Sequence, residues 1–276
     1  MIDTLILSGG GTNAISILGC MKYLLDNNHI KKLKNIVCVS ASMFLVILIL
    51  LDFSVDFLIE LFLTLDYNLI DKNDFKINNL LKDYGFYESD YIHNVLIEIF
   101  NKKNISENIT LKELYEISNC RLIVKVSNLS KQSVEYIDHI NTPDIPIITL
   151  TKMTMSIPFI FKPIIYKDNF YVDGGLTGNF PIDFLKKLKT KNYFGINIKK
   201  VKKEEEINNI IDYLLVFFKH PLSSLDEKKT SKKRMNLICN NGLIDGIIKT
   251  PTKEEKKELI NYAISKTEEH FREFYE

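Results

Sequence analysis

"LSGGGTNA", Leu7 to Ala14, follows the mostly apolar run Ile2–Ile6. Three consecutive glycines at the end of a predicted strand are costly to order, so a bare backbone must serve something there. Gly9, Gly11 and Ala14 fit G-x-G-x-x-A between a strand and a helix, the dinucleotide-binding fingerprint. That chemistry also needs an acidic residue about 20 positions on, to hold a ribose. The second predicted strand ends instead in "VCVSAS", without a carboxylate. No Gly-Lys-Ser/Thr follows the glycines, which excludes a P-loop. Two readings remain. One is a glycine turn at a helix N-terminus, with N–H groups free to bind an anion. The other is close packing of strand on helix.

Outward from the glycines, Thr4–Ser8 reads as a buried strand and Asn13–Asn27 as a helix. Asn35–Val39 is a second strand, followed by a helix from about Ala41. Strand, turn and helix, twice over, predict an α/β fold with a mainly parallel sheet. Met43–Leu65 is mostly apolar, but Asp52, Asp56 and Glu60 recur every four residues as a polar stripe. Its uninterrupted part, Met43–Leu51, is too short to cross a bilayer. The segment is therefore predicted as one helix, buried at its start and amphipathic at its end. Residues 66–118 read as mainly helical, with a capping box at Thr110 and Glu113.

Further strands are predicted at Arg121–Val126, Ser133–Tyr136, Ile160–Tyr166, Phe170–Val172 and Tyr193–Ile198. Helices are predicted at Pro143–Ile157 and Glu204–Phe218. A charged terminal helix opens with a second capping box, Thr252 and Glu255. Without an internal repeat or a linker, residues 1–276 read as a single domain.

Hydrophobic residues make up 46% of the chain, enough to fill a sizeable core. Lysine and arginine number 36 against 35 acids, a net charge of +1, which argues against a general nucleic-acid binder. Cys20, Cys38, Cys120 and Cys239 lack metal-ligand spacing and read as buried, reduced thiols of a cytosolic-type protein. The N-terminus lacks a basic region followed by an apolar stretch, so no secretory signal is expected and a cytoplasmic location is.

Two further motifs bear on chemistry. "CVSASM", Cys38 to Met43, lies between a strand and an apolar helix, the context of a nucleophile elbow of form G-x-S-x-G. Ser40 is central, with Cys38 and Ser42 in the glycine positions; a serine at a strand end also serves as an ordinary cap. "YVDGGLTGNFPI", Tyr171 to Ile182, places Asp173 after a strand and before two glycines. An Asp-Gly-Gly sequence is often a plain turn, but "MSIPFIFKPI" precedes this one and "GNFP" follows it.

Together these residues resemble the patatin-like phospholipase family over roughly residues 3–200, with 201–276 as a C-terminal extension packed on it. Members carry a glycine-rich oxyanion loop, a G-x-S-x-G nucleophile and a downstream aspartate in D-G-[GA]. The resemblance implies a three-layer α/β/α fold and hydrolysis of acyl esters of phospholipids or related lipids, of phospholipase A type, with no metal or cofactor. It implies Ser40 as nucleophile, Asp173 as general base, and Gly9, Gly10 and Gly11 as oxyanion donors. It also implies a lipid substrate met at a membrane surface; it says nothing of oligomeric state.

The chain departs from the family at Asn13 (a basic residue), Ala14 (glycine), Cys38 and Ser42. These departures leave open a lipid-binding protein that has lost turnover. A Ser40–Asp173–His220 triad is a third arrangement, although His220 also reads as a charge at a helix C-terminus. The basic cluster "KKTSKKR", Lys228 to Arg234, reads either as a membrane-surface contact or as a solvated loop.

Overall fold

Both faces of the first strand are buried, which is why it reads as an almost continuous apolar run rather than an alternating one. The computed structural model describes residues 1–65, 77–200, 204–219, 232–239 and 251–275. In chain order, the first elements are β1 (Ile2–Leu7), α1 (Ser16–Asp26), β2 (Ile30–Val39), α2 (Ser42–Leu50), α3 (Val55–Thr64) and α4 (Ile77–Asp83). Then come β3 (Gly85–Tyr87), α5 (Asp90–Asn101), α6 (Leu111–Ser118), β4 (Arg121–Asn128), β5 (Ser133–Ile137) and α7 (Ile147–Met155). The remainder is β6 (Phe159–Phe161), β7 (Ile164–Tyr166), β8 (Asn169–Asp173), α8 (Leu185–Leu188), β9 (Tyr193–Lys200), α9 (Ile210–Lys219), β10 (Arg234–Cys239) and α10 (Lys253–Tyr275).

The main sheet runs β10-β9-β1-β2-β4-β8-β7, with β5 also on β4. Strands β10, β9, β1, β2 and β4 are parallel neighbours; β5, β8 and β7 add antiparallel pairs. Alternate residues face opposite sides. Leu5, Leu7, Ile36, Cys38, Leu122 and Val124 enter the larger core under the helices. Ile6, Val37 and Ile123 face the other way and are covered by Phe180 and Phe184. The result is a three-layer α/β/α fold with a mainly parallel central sheet.

One edge of β4 positions the site. β5 pairs with Val124 to Asn128, occupying one edge. The other edge is shared end to end: Val39 of β2 lies opposite Lys125, and Asp173 of β8 lies opposite Val126. The residue after β2 and the last residue of β8 are thereby brought together.

The structure refines several predicted boundaries. The predicted helix over Met43–Leu65 is two helices. Asp52 turns left-handed (φ 62°), and Ser54 accepts the Phe57 N–H to start α3. Lys103 Nζ donates to the Leu51 and Asp52 carbonyls and lies 4.2 Å over the Phe53 ring, closing the end of α2. Helix Pro143–Ile157 begins only at Ile147, because Pro143 and Ile145 carbonyls bond Lys112 and Leu111. The predicted strand Ile160–Tyr166 divides at Pro163, which lacks an N–H. Its first part pairs instead with β3, in a second two-stranded sheet. Helix Glu204–Phe218 begins at Ile210, where Asn209 and Asp212 cap each other. Both predicted capping boxes are present. Part of the 66–118 reading, residues 66–76, lies outside the described residues.

None of the four cysteines is in a disulfide, and all are buried. No helix among the described residues is long and apolar enough to cross a membrane. Helix α10 lies along α1, burying Ile260, Ala263 and Phe271 in the larger core. The Phe271 ring meets His29 at 4.1 Å, Phe194 at 5.3 Å and Tyr23 at 5.8 Å between centroids. Phe271→Ala is expected to destabilise the protein by about 3–5 kcal/mol, the cost of emptying such a site. A urea unfolding curve checks this through a lowered midpoint.

Candidate active site

Ser40 follows β2 directly and takes the left-handed conformation (φ 58°). That geometry is costly for a residue with a side chain and marks the sharp strand-to-helix turn that lifts a serine out of a sheet. Its N–H donates to Thr154 Oγ1 at 2.8 Å, and Thr154 Oγ1 donates to the Lys125 carbonyl at 2.9 Å. This turn is thus tied through α7 to the strand beneath it.

The two residues that stand where the G-x-S-x-G motif has glycine are both accommodated. Cys38 packs inside the larger core, where burial pushes its thiol well above the usual range. Ser42 is fully buried, and its hydroxyl closes on Val39, donating to the carbonyl at 2.7 Å and accepting the N–H at 3.2 Å. Their extra heavy atoms are absorbed by packing and by a local hydrogen-bonded ring.

The Ser40 hydroxyl donates to Asp173 Oδ2 at 2.6 Å. The other carboxylate oxygen accepts the Gly175 N–H at 2.7 Å, and the Asp173 N–H donates to the Ser156 carbonyl at 2.8 Å. Asp173 is only 5% exposed. Burial pushes its carboxyl up from the ordinary 3.8 to about 6, opposed by the Ser40 and Gly175 hydrogen bonds and the Lys125 charge. Lys125, itself buried, donates to the carbonyls of Gly178 (2.7 Å) and Thr177 (3.1 Å). It therefore braces the loop after Asp173 while placing a cation near the carboxylate.

The glycine loop lies against the same serine. A Cβ at Gly9 would stand 2.4 Å from Asn179 Oδ1 and 2.9 Å from Ser40 Cβ, so no side chain fits. Asn179 grips this residue twice: its carbonyl accepts the Gly9 N–H at 3.1 Å, and its Nδ2 donates to the Gly9 carbonyl at 2.7 Å. Gly9 thus differs from Gly10 and Gly11, because its N–H is already committed. Among the described residues, neither the Gly10 nor the Gly11 N–H has an acceptor within the protein. Gly11 takes φ 56°, a conformation suited to glycine, and opens the turn into α1.

Beside Ser40 lies an apolar cleft, walled by Ile15, Phe44, Phe62, Val95, Met155 and Phe161 among others. The residues brought together are thus Ser40, Asp173 and the glycine loop. Thr154, Lys125 and Asn179 complete the frame, and no sequence motif marks Thr154 or Lys125. Asn179 alone of the three lies in a motif, "GNFP". His220 lies outside the described residues, as do Lys228 to Ser231 of the basic cluster. The described cations of that cluster lie over aromatic rings: Lys232 over Tyr275, Lys233 over Tyr193 and Arg234 over Phe180.

A mainly parallel α/β/α fold that brings a serine after a strand, a buried aspartate and a glycine loop together is the arrangement of the patatin-like proteins. The patatin-like phospholipase family model matches residues 5–186, and the chain belongs to that family. It is 33% identical over 192 residues to "Probable lipid hydrolase 463L" of Invertebrate iridescent virus 6, covering 68% of this chain and 64% of that protein. It is 27% identical over 226 residues to protein R571 of Acanthamoeba polyphaga mimivirus, covering 78% and 74%. Among solved structures it is similar to VipD from Legionella pneumophila, with TM-score 0.62 and 16% identity over 99% of this chain and 67% of that one. It is also similar to the type III effector ExoU of Pseudomonas aeruginosa, with TM-score 0.53 and 14% identity over 99% and 53%. These structural likenesses concern the fold.

The raised Asp173 carboxyl has a consequence for stability. Its pKa in the fold lies above the ordinary value, so its contribution is fully present below 3.8 and lost as pH rises through about 6. At pH 7 the ionised carboxylate costs the fold on the order of 3 kcal/mol. Asp173→Asn keeps the shape and removes the charge. It is expected to raise the melting temperature at pH 7 and to leave it nearly unchanged at pH 4, as measured by calorimetry.

Proposed function

We propose that the protein is a serine lipid acyl hydrolase of phospholipase A type, working through a Ser40–Asp173 dyad and an acyl-enzyme. The observation that carries this reading is the 2.6 Å hydrogen bond from Ser40 Oγ to a buried carboxylate. A serine hydroxyl is a weak nucleophile without a base in reach, and a carboxylate titrating near 6 is ionised at neutral pH yet basic enough to take a proton. Ser40 Oγ attacks the acyl carbonyl while Asp173 accepts its proton. Negative charge gathers on the carbonyl oxygen, where the Gly10 and Gly11 N–H groups donate, and Gly9 serves as the anchor of that loop. Collapse expels the alcohol half of the ester, which takes the proton back from Asp173. Water then repeats the sequence on the acyl-serine. The apolar cleft supports an acyl chain as the group held next to Ser40, and so a lipid ester as substrate.

We also read residues 1–276 as one folding unit, supported by the seating of α10 in the larger core. Lipid esters sit in membranes, so the protein works as a peripheral enzyme in this account.

Kinetics on a short-chain nitrophenyl ester and on phospholipid vesicles test the mechanism. Ser40→Ala should abolish turnover, and Asp173→Asn should lower it by roughly 10²–10⁴-fold. The wild-type rate should rise with pH through about 6 and then level, because only the ionised carboxylate accepts the proton. Lys125→Met removes a charge that favours ionisation, so its acidic limb should move to higher pH. A folded Asp173→Asn variant working at the wild-type rate contradicts the dyad.

A further inference from the structure

Helix α9 is apolar on two sides. Ile211 and Leu215 are buried against Phe86, Tyr87, Ile160 and Phe161. Ile210, Tyr213 and Phe217, spaced three and four apart, share another face and are 43%, 49% and 57% exposed. No charged side chain lies among these exposed positions. The one acid of the helix, Asp212, is buried and accepts the Asn208 N–H and Asn209 Nδ2 as a cap.

The exposed aromatics form a continuous ladder. Tyr213 stacks on Phe217 at 6.0 Å, Phe217 meets Phe218 edge-on at 5.5 Å, and Phe218 stacks on Phe159 at 5.4 Å. Phe159 is 39% exposed and takes φ 65°, an unusual conformation for a bulky residue. Two residues from the same short segment, Ile157 and Phe161, line the Ser40 cleft and also pack in the cluster beneath α9. The aromatic face and the cleft therefore share a wall.

We propose that this face of α9, with Phe159, is the surface on which the protein docks to a lipid bilayer; the proposal rests on the lipid-ester reading of the cleft. A short helix with an uncharged aromatic face suits the bilayer interface, where aromatic rings concentrate. A stable dimer buries about 800 Å² per partner over some 20–30 residues a side, and this ladder offers far fewer. A membrane accepts such a small face and sets the cleft wall beside its substrate. Glu204, Glu205 and Glu206 precede the helix and Lys219 ends it, while the exposed face itself is Ile210, Tyr213 and Phe217, so the attraction comes from apolar side chains and anionic lipid is not required.

The test is flotation or co-sedimentation with phosphatidylcholine vesicles, which needs no turnover. Tyr213→Ser with Phe217→Ser should weaken partitioning by about tenfold or more. The same double variant should keep the wild-type melting temperature and rate on a soluble nitrophenyl ester, and lose hydrolysis of vesicle lipid. The chain has no tryptophan, so Phe217→Trp supplies a single reporter whose emission should shift to the blue on adding vesicles. Wild-type binding that the double variant retains, or a Phe217→Trp emission unchanged by vesicles, overturns the proposal. So does a double variant that alters only the oligomeric state. Absence of esterase activity together with normal, variant-sensitive vesicle binding leaves docking supported and the hydrolase reading refuted. Normal esterase activity with unaltered vesicle binding refutes docking alone.

Discussion

The hydrogen bond between Ser40 and Asp173 joins residues 133 positions apart, and the fold is arranged around making it. Neither residue reaches the other by local structure. Both are delivered by β4, whose Lys125 and Val126 pair with Val39 and Asp173 on one edge. The antiparallel turn of β8 against an otherwise parallel run lets its last residue meet the residue after β2. A one-residue slip of either strand would turn the side chains to the opposite face. The packed interior on both sides of the sheet holds the register.

The same contact is held in a conformation the backbone does not favour. Ser40 sits at positive φ, and Asp173 keeps a charge in a buried place. Each is restrained by bonds from outside its own element. Thr154 fixes the Ser40 N–H, Gly175 and Lys125 support the carboxylate and its loop, and Asn179 clamps Gly9 against Ser40. Backbone strain and a buried charge persist here because the surrounding packing and hydrogen bonds over-determine them.

Much of this was legible in the sequence, for identifiable reasons. The strands before the glycines and before Ser40 announce themselves as apolar runs ending at a turn. The caps at Thr110 and Thr252 follow from residue type and spacing. Ser40 and Asp173 were paired by the resemblance of their motifs, since no local rule connects them. Thr154 and Lys125 left no trace, because one threonine in a helix and one lysine in a strand carry no pattern that foretells a partner. The break at Asp52 was hidden because the lysine that closes α2 comes from α5–α6, far along the chain. The commitment of the Gly9 N–H was hidden too, since it depends on how the loop after β8 returns to β1.

Covalent trapping at the serine tests the account most directly. The protein is treated with a fluorophosphonate and digested, and the adduct is mapped by mass spectrometry. The account predicts one modified residue, Ser40, with labelling that is slower in Asp173→Asn and faster above pH 6 than below it. A folded protein that takes no label, or takes it elsewhere while Ser40 stays unmodified, would contradict the assignment of Ser40 as the nucleophile.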